Sequence, residues 1–292
     1  MNTTKQTDPT TPRTYEKATS DWPFIAILWT IGGFYVLMIV AMLVADATYT
    51  TPQNFLDLLG SEEIRYSIKL SLITCTLSAA LSLWVSVPIG YLLSHYDFRG
   101  KALVDAVLDI PIVLPPLVIG LSLLILFQTD IGQSIQYGFP LNLIFPEGVT
   151  YEIPSIVLAQ FMVACAFAVR TMRVTFDQIN PRQEQVALTL GCRRSQAFWL
   201  VVLPDARRGM LTAVTLAWAR SLGEFGPILI FSGATRLHTE VLPTTVFLEL
   251  SVGNIEAAVA VSLVMVAAAV AVLILVRLYG RVDRPITRLN RP

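Results

Sequence analysis

Two opposite charges, Arg220 and Glu224, stand four residues apart inside an otherwise uncharged and largely apolar run, 209–233. On a helix this spacing brings both side chains to one face, where they can pair. If the run crosses a membrane, an unpaired charge there costs on the order of 3 kcal/mol or more. Either the two charges neutralise each other and pin this helix to a neighbour, or Arg220 attracts an anion and Glu224 holds it in place.

Glycine and proline residues near these charges and in a second apolar run predict helices that are not straight. Gly223 and Gly226 flank Glu224, and would let the helix bend or let another backbone approach closely. Pro115 and Pro116 lie in the run 110–129 and remove backbone donors there. Both features are compatible with a simple packing kink or with a bend that lines a transport pathway and acts as a gate.

Other kinds of chemistry find little support in the sequence. The chain has three cysteines, whose spacings resemble no metal site, and two histidines, His95 and His238, which are too few and too separated for a histidine-based site. It has no GxxxxGK[ST] phosphate loop, no HExxH motif and no nucleophile elbow. Lys and Arg balance Asp and Glu at 21 each, so there is no overall basic footprint for nucleic acid. We therefore expect no catalytic residue, no metal site and no nucleic-acid partner.

Composition places the chain in a membrane. Hydrophobic residues make up 54% and charged residues 14% of the chain, whereas soluble domains carry about a quarter charged residues. The mean hydropathy is +0.62. Apolar runs long enough to span a bilayer, at about 20 residues each, cover 22–45, 70–94, 110–129, 153–169, 209–233 and 257–276. The sequence thus predicts an all-α, polytopic fold with six transmembrane helices, the first over 22–46.

The distribution of basic residues predicts the orientation. With the N-terminus inside, inside segments hold 17 Lys and Arg and outside segments hold three. By the positive-inside rule both termini are cytoplasmic. Residues 1–21 and 281–292 are then cytoplasmic tails. Asp105 and Asp109, near the cytoplasmic start of the third run, are expected to be solvated or to cap a helix.

The one sizeable cytoplasmic segment between spans is 170–208. Short apolar helical patterns lie on both sides of Gly191, and the second is expected to end at Pro204. Gly191 suits a C-cap, where positive φ costs a glycine little. Helices this short need a partner surface, which is either the underside of their own bundle or a groove on a cytoplasmic protein.

This segment resembles the EAA loop in permease subunits of bacterial binding-protein-dependent ABC importers. In that pattern Glu-Ala-Ala is followed by three residues, Gly, nine residues and Ile-x-Leu-Pro. Here nine residues separate Gly191 from Val-Val-Leu-Pro, which ends at Pro204. The Glu-Ala-Ala positions hold Gln185, Val186 and Ala187, with an acidic residue one place earlier, Glu184. We call residues 181–204 the EAA-like loop.

The resemblance extends over 67–280, where LAWARSLGEFG and VLDIPIVLPPLVIGLSLLILF are similar to molybdate/tungstate and sulfate permeases of the type I (MetI-like) fold. It implies a subunit that is not itself an enzyme, within an importer of molybdate, tungstate, sulfate or thiosulfate. Its implied partners are a second permease copy, a dimer of ABC ATPase subunits and an extracytoplasmic binding protein. It also implies a bacterial or archaeal inner membrane location and no cofactor in this chain, since ATP and Mg²⁺ are used by the ATPase.

In this family the EAA loop receives the ATPase. The residues carried over to that role are Glu184, Gln185, Ala187, Gly191, Arg193, Leu203 and Pro204. Ala187 and Gly191 share a helical face and are expected to be buried against the partner, with Glu184 and Arg193 at the rim.

Three alternatives stay open at this point. One is an ABC permease for another cargo, such as phosphate or a polyamine. A second is an ion-coupled secondary carrier, although such carriers usually show internal repeats and several intramembrane charges. A third is a membrane-embedded enzyme, which the lack of a catalytic cluster disfavours.

Overall fold

The structure, a computed structural model, describes residues 22–50, 55, 59–138 and 145–281. The helices, in chain order, are α1 (Trp22–Tyr49), α2 (Glu62–His95), α3 (Lys101–Val113), α4 (Pro116–Gln128), α5 (Asp130–Tyr137), α6 (Ile153–Gln178), α7 (Pro181–Thr189), α8 (Arg194–Ala197), α9 (Leu203–Asp205), α10 (Arg207–Leu222), α11 (Gly226–Phe231), α12 (Leu242–Ser251) and α13 (Ile255–Arg281). A π-helical turn, Phe198–Val202, joins α8 to α9. These ranges contain no strand, so the all-α prediction is confirmed for them. The predicted tails 1–21 and 281–292 lie outside the described residues, apart from Arg281 at the end of α13.

The chain divides into two structural units, and the first ends at Thr48. Its described part, 22–48, belongs to α1, a helix of 28 residues of which none is buried. The predicted first span, 22–46, is thus a helix that runs three residues further. A helix that is apolar on every side is typical of a segment surrounded by lipid.

The second unit is built around α2, α6 and α10, which pack against one another. Glu62 and Glu63 begin α2, where negative charge favours the helix dipole. One face of α2 is lined with small hydroxyl side chains, all buried: Ser67, Ser71, Thr74, Ser78, Ser82 and Ser86. Such small residues let neighbouring backbones come close. At Gly90 the two helices come close together, since a Cβ there would lie 2.9 Å from the Met172 Cβ of α6.

The third predicted span, 110–129, is divided between α3 and α4, whose axes differ by 112°. The break falls at Leu114 and Pro115, which have extended ψ values of 140° and 134°. Pro115 and Pro116 explain this, because proline cannot donate to the preceding turn and drives the residue before it out of the helical region. The predicted kink is therefore a full break in the helix.

The fifth predicted span, 209–233, is divided as well. α10 ends at Leu222, α11 begins at Gly226, and the three residues between them interrupt the helix. Within the described ranges, four helices are long and apolar enough to cross a membrane alone, and α3 with α4 makes a fifth if the bent pair counts as one span. All six predicted apolar runs are helical, but two of them are broken.

Candidate functional site

The first half of the EAA-like loop is α7, whose two ends are both capped. Asn180 precedes it, and its side-chain oxygen accepts a hydrogen bond from the Arg182 N–H at 3.0 Å. After the helix, Gly191 has φ +93°. Its N–H donates to the Leu188 carbonyl, and the Cys192 N–H donates to the Ala187 carbonyl, both at 3.1 Å. This is a Schellman cap, so the predicted C-cap role of Gly191 is confirmed.

The helix in the second half of the loop does not end at Pro204, so that prediction is wrong. The chain stays helical from Arg194 to Asp205, and the π-helical turn lies in the middle of this stretch. In this turn the Leu203 N–H donates to the Phe198 carbonyl, five residues back. Pro204 follows directly after this turn, where the step of five residues has already interrupted the regular bonding to the fourth residue back that a proline would otherwise break.

α7 presents two faces of different character. Val186 and Leu190 point outward, with 56% and 80% of their surface exposed. Gln185 is exposed too, whereas Ala187 is buried within the chain. The expectation that Ala187 contacts a partner is therefore not what the structure shows. Gly191 is open, since a Cβ there would meet no atom within 4 Å, and Arg193 and Pro204 are exposed while Leu203 is half-buried.

Glu184 also points inward, toward the last turn of α2. Its Oε1 accepts a hydrogen bond from the Tyr91 hydroxyl at 2.9 Å, and its Oε2 lies 3.4 Å from the His95 Nε2. Only 15% of the Glu184 side chain is exposed. The carboxylate expected at the rim of a partner contact is thus engaged inside the chain.

Sequence reasoning missed Tyr91 and His95. Their spacing of four residues near the end of an apolar run places them on one helical face. Their partner Glu184, however, lies 93 residues beyond Tyr91 along the chain. Nothing in one sequence links positions that far apart.

At the break between α10 and α11, Arg220 and Glu224 do pair. The Arg220 Nη2 lies 2.9 Å from the Glu224 Oε1, and the two side chains are 38% and 2% exposed. The Arg220 guanidinium also stands 5.5 Å from the centre of the Phe167 ring on α6, within the range of a cation–π contact. The pair and the ring contact therefore join this break to α6 and leave the Arg220 side chain partly exposed.

The two broken spans pack against each other at their breaks. A Cβ on Gly226 would lie 3.0 Å from both the Leu117 backbone nitrogen and the Pro116 Cβ, and one on Gly120 would lie 2.8 Å from the Pro227 Cα. Gly223, in contrast, has room, since the nearest atom to a Cβ there would be 3.8 Å away. Of the candidate pathway residues, Pro116 and Gly226 meet at this contact, whereas Pro115 is exposed at the break.

Two further ion pairs join α3 to α6. Arg173 Nη1 lies 2.5 Å from Asp105 Oδ1, and Arg170 Nη2 lies 3.2 Å from Asp109 Oδ2. Asp105 and Asp109 were expected to be solvated or capping residues; both pair with arginines of α6, and Asp109 is also exposed to solvent.

The opposite end of the bundle carries a second charged cluster. His238 Nε2 lies 3.2 Å from Glu152 Oε2, and Arg236 Nη2 lies 2.7 Å from Glu249 Oε1. Glu240 is buried beside them, and neither of its carboxyl oxygens has a hydrogen-bond partner among the described residues. Burial raises the pKa of the Glu240 carboxyl, since the positive charge of Arg236 only partly offsets the loss of water.

The likeness to known proteins covers most of the chain. A probable molybdenum ABC transporter permease protein of Haloferax volcanii is 32% identical over 248 residues, 85% of this chain and 86% of the relative. The sulfate transport system permease protein CysT of Salmonella typhimurium is 29% identical over 234 residues, 80% of this chain and 82% of the relative. The molybdate/tungstate transport system permease protein WtpB of Pyrococcus abyssi is 35% identical over 164 residues, 56% and 59% of the two chains.

Solved structures show the same fold. A chain of the bacterial alginate ABC transporter, crystallised with an alginate pentasaccharide-bound periplasmic protein, matches with a TM-score of 0.70 at 17% identity, covering 89% of this chain and 94% of its own. The family model of the binding-protein-dependent transport system inner membrane component matches residues 86–288, which include the EAA-like loop and both broken spans. The chain therefore belongs to this family of multi-pass membrane transport components.

Proposed function

We propose that this chain is the transmembrane permease subunit of an ATP-driven importer of a tetrahedral oxyanion, with sulfate, thiosulfate, molybdate and tungstate as the candidates. The observation that carries the proposal is that the relatives of this chain are named for the transport of oxyanions. Proteins named for sulfate and for molybdenum transport align with it over four-fifths or more of both chains. A likeness of this extent makes a common class of cargo the simplest interpretation.

ATP is bound and hydrolysed by a separate chain, because this sequence has no phosphate loop. The outward face of α7, with Val186 and Leu190 exposed, is the docking surface for that ATPase. Exposed apolar side chains on a short capped helix fit a groove on a partner. One EAA-like loop from each of two permease copies engages an ATPase dimer.

The EAA-like loop faces the cytoplasm, as do both termini. The bias of 17 basic residues to three across the predicted segments supports this orientation. The opposite end, with Glu152, Arg236 and His238, then faces the binding protein that delivers the anion. Single cysteines introduced within 130–138 should react with an impermeant maleimide from outside, and those within 183–195 only after the membrane is opened.

The pathway runs between two copies of the chain, past the breaks in the two spans. Arg220 supports this placement, because its side chain is partly exposed and its guanidinium contacts Glu224 and Phe167. A fixed positive charge attracts an anion, and its own carboxylate partner prevents it from holding that anion too tightly. The contact of Gly226 with Pro116 lets the two broken spans move as one unit when the pathway opens.

The test is uptake by proteoliposomes that contain this chain and its ATPase, with the binding protein outside. Uptake of radiolabelled sulfate and molybdate should require ATP inside the vesicles, and proton and sodium ionophores should leave it unchanged. Uptake by this chain alone, driven by an ion gradient, would contradict the proposal. Competition by unlabelled anions at the binding protein would then identify the cargo.

A further inference from the structure

We propose that Tyr91 and His95 are positioning residues for energy coupling: they hold the EAA-like loop through Glu184 and transmit its displacement to α2. The inference rests on the proposed function, since it concerns how an ATPase-driven movement enters the membrane. It assigns to Glu184 a role inside the permease, as the link between loop and helix.

Tyr91 touches both halves of the EAA-like loop. Its hydroxyl donates to Glu184 on α7 at 2.9 Å, and its ring lies 4.8 Å from the Phe198 ring in the π-helical turn. A third contact, at 5.7 Å between ring centres, reaches Phe176 near the end of α6. The two halves of the loop therefore share one side chain of α2 as their common support.

His95 reinforces this support from one helical turn further along. Its ring stacks on the Tyr91 ring, with centres 4.3 Å apart and planes inclined by 28°. Its Nε2 faces the Glu184 oxygen that Tyr91 leaves free. The carboxylate is held at both oxygens by α2, and such a two-point contact resists rotation as well as separation.

From Tyr91 the contacts continue into the membrane-embedded core. Gly90, the preceding residue, is packed directly on Met172. Further along α2, the Ser221 hydroxyl of α10 donates to the Ser78 hydroxyl at 3.1 Å. Ser221 is next to Arg220, so α2 physically connects the loop with the break that carries the charge pair.

Coupling and docking should be separable, because they use different faces of α7. Glu184 faces α2, whereas Val186 and Leu190 are exposed. Loss of the Tyr91 hydroxyl should leave the outward face, and so the affinity for the ATPase, unchanged. A change in coupling without a change in assembly is then the expected result.

The experiment uses the complete transporter in proteoliposomes and compares Tyr91→Phe, His95→Gln and Glu184→Ala with the unmodified protein. Tyr66→Phe is the matched control, because Tyr66 lies on the same helix and its hydroxyl also makes one hydrogen bond, to the His238 carbonyl at 3.1 Å. Three quantities are measured: ATPase retained on purification, the rate of ATP hydrolysis, and anion imported per ATP hydrolysed.

We expect Tyr91→Phe, His95→Gln and Glu184→Ala to retain the ATPase and to hydrolyse ATP. Anion imported per ATP should fall about tenfold, the effect of losing one hydrogen bond to a charged group, and Tyr66→Phe should keep the normal ratio. Glu184→Gln, whose amide oxygen still accepts from Tyr91, should recover part of the loss. The inference would be overturned if Tyr91→Phe, His95→Gln and Glu184→Ala all import the normal amount of anion per ATP. Loss of ATPase binding by Tyr91→Phe would overturn it as well. ATP-independent uptake by the unmodified transporter would instead refute the proposed function.

Discussion

Gly226 packs on Pro116 so closely that a Cβ added to the glycine would lie 3.0 Å from the proline Cβ and 3.0 Å from the Leu117 backbone nitrogen. Both neighbours belong to a fixed part of the chain, at the start of α4, and cannot move aside cheaply. We expect Gly226→Ala to destabilise the folded protein by about 1–3 kcal/mol, the usual cost of overpacking. Thermal unfolding in detergent measures this as a lower melting temperature.

Gly223→Ala is the matched control, since it lies three residues away and a Cβ there has room. It should leave the melting temperature unchanged or raise it slightly, because alanine adopts the φ of −88° found there and loses less conformational entropy on folding than glycine. Equal effects of the two substitutions would show that the close contact between the breaks contributes nothing to stability.

The Arg220–Glu224 pair predicts an asymmetry between its two single variants. Arg220→Met leaves the Glu224 carboxylate buried without its partner charge, at a cost of about 3 kcal/mol. Glu224→Gln leaves Arg220 without its partner, but this side chain is 38% exposed, so the loss should cost less. The double variant should be more stable than Arg220→Met alone, and melting temperatures of the three variants would measure the order.

Transport by the same double variant tests the role of Arg220. A protein that folds but no longer imports the anion indicates that Arg220 attracts the cargo, whereas restored transport indicates a structural pair. Arg170→Met is a control, because its pair with Asp109 is exposed on both sides and such pairs contribute about 0–1 kcal/mol. Additive losses from Arg220→Met and Glu224→Gln would exclude a functional pair.

Leu190→Asp should separate docking from folding. The side chain is 80% exposed, so the substitution leaves the permease folded and in the membrane. An aspartate in an apolar groove of the partner would be buried without a counter-charge, and copurification of the ATPase should be lost. Val252→Asp, exposed at 70% but at the end of α12, should have no such effect. If Leu190→Asp still copurifies the ATPase in full, the outward face of α7 is not the docking surface.

Glu240 predicts a dependence of stability on pH. Because burial raises its pKa in the folded state, the folded protein binds this proton more tightly than the unfolded chain does. The free energy of unfolding should therefore fall as the pH rises above about 4, the pKa of an unfolded glutamate. Glu240→Gln should melt at a higher temperature than the unmodified protein near about pH 8, and this gain should shrink near about pH 5.

Glu147→Gln provides the comparison for this measurement, since Glu147 is exposed at the same end of the bundle. It should leave the melting temperature unchanged at both pH values. A Glu240→Gln variant that is less stable than the unmodified protein at neutral pH would mean that the carboxylate is stabilised by contacts absent from the described structure.

The sequence predicted those parts of the fold and the site that depend on residues close together in the chain, and missed contacts between residues far apart in it. Apolar runs were sufficient to locate α2, α6 and α13, because burial in lipid depends on composition over about 20 residues. The break between α10 and α11 was harder, since Gly223 and Gly226 are themselves compatible with an apolar span. Pairing of Arg220 with Glu224 followed from helical spacing, whereas the contact between Tyr91 and Glu184 depends on the tertiary fold alone.

The end of the EAA-like loop shows a different limit. Proline usually stops a helix, and Pro204 was expected to do so. The π-helical turn before it already interrupts the regular hydrogen-bond pattern, so the missing N–H of Pro204 does not end the helix. A one-residue widening of a helix leaves no clear trace in the hydrophobic pattern, so this detail could only come from the structure.

The same π-helical turn absorbs one extra residue between the EAA-like loop and everything that follows it. Each residue of an α-helix advances it by about 100° around its axis, and the five residues of this wider turn give about the rotation of four α-helical residues. Deletion of one residue from Phe198–Val202 would therefore restore ordinary helical geometry and leave α10 in its present phase, with Ser221 on Ser78 and Arg220 near Phe167. Deletion of one residue from the regular part of α10 before Arg220 would instead turn both residues away from these partners by about 100°. A one-residue deletion should therefore be tolerated better in Phe198–Val202 than in the regular helix beside it.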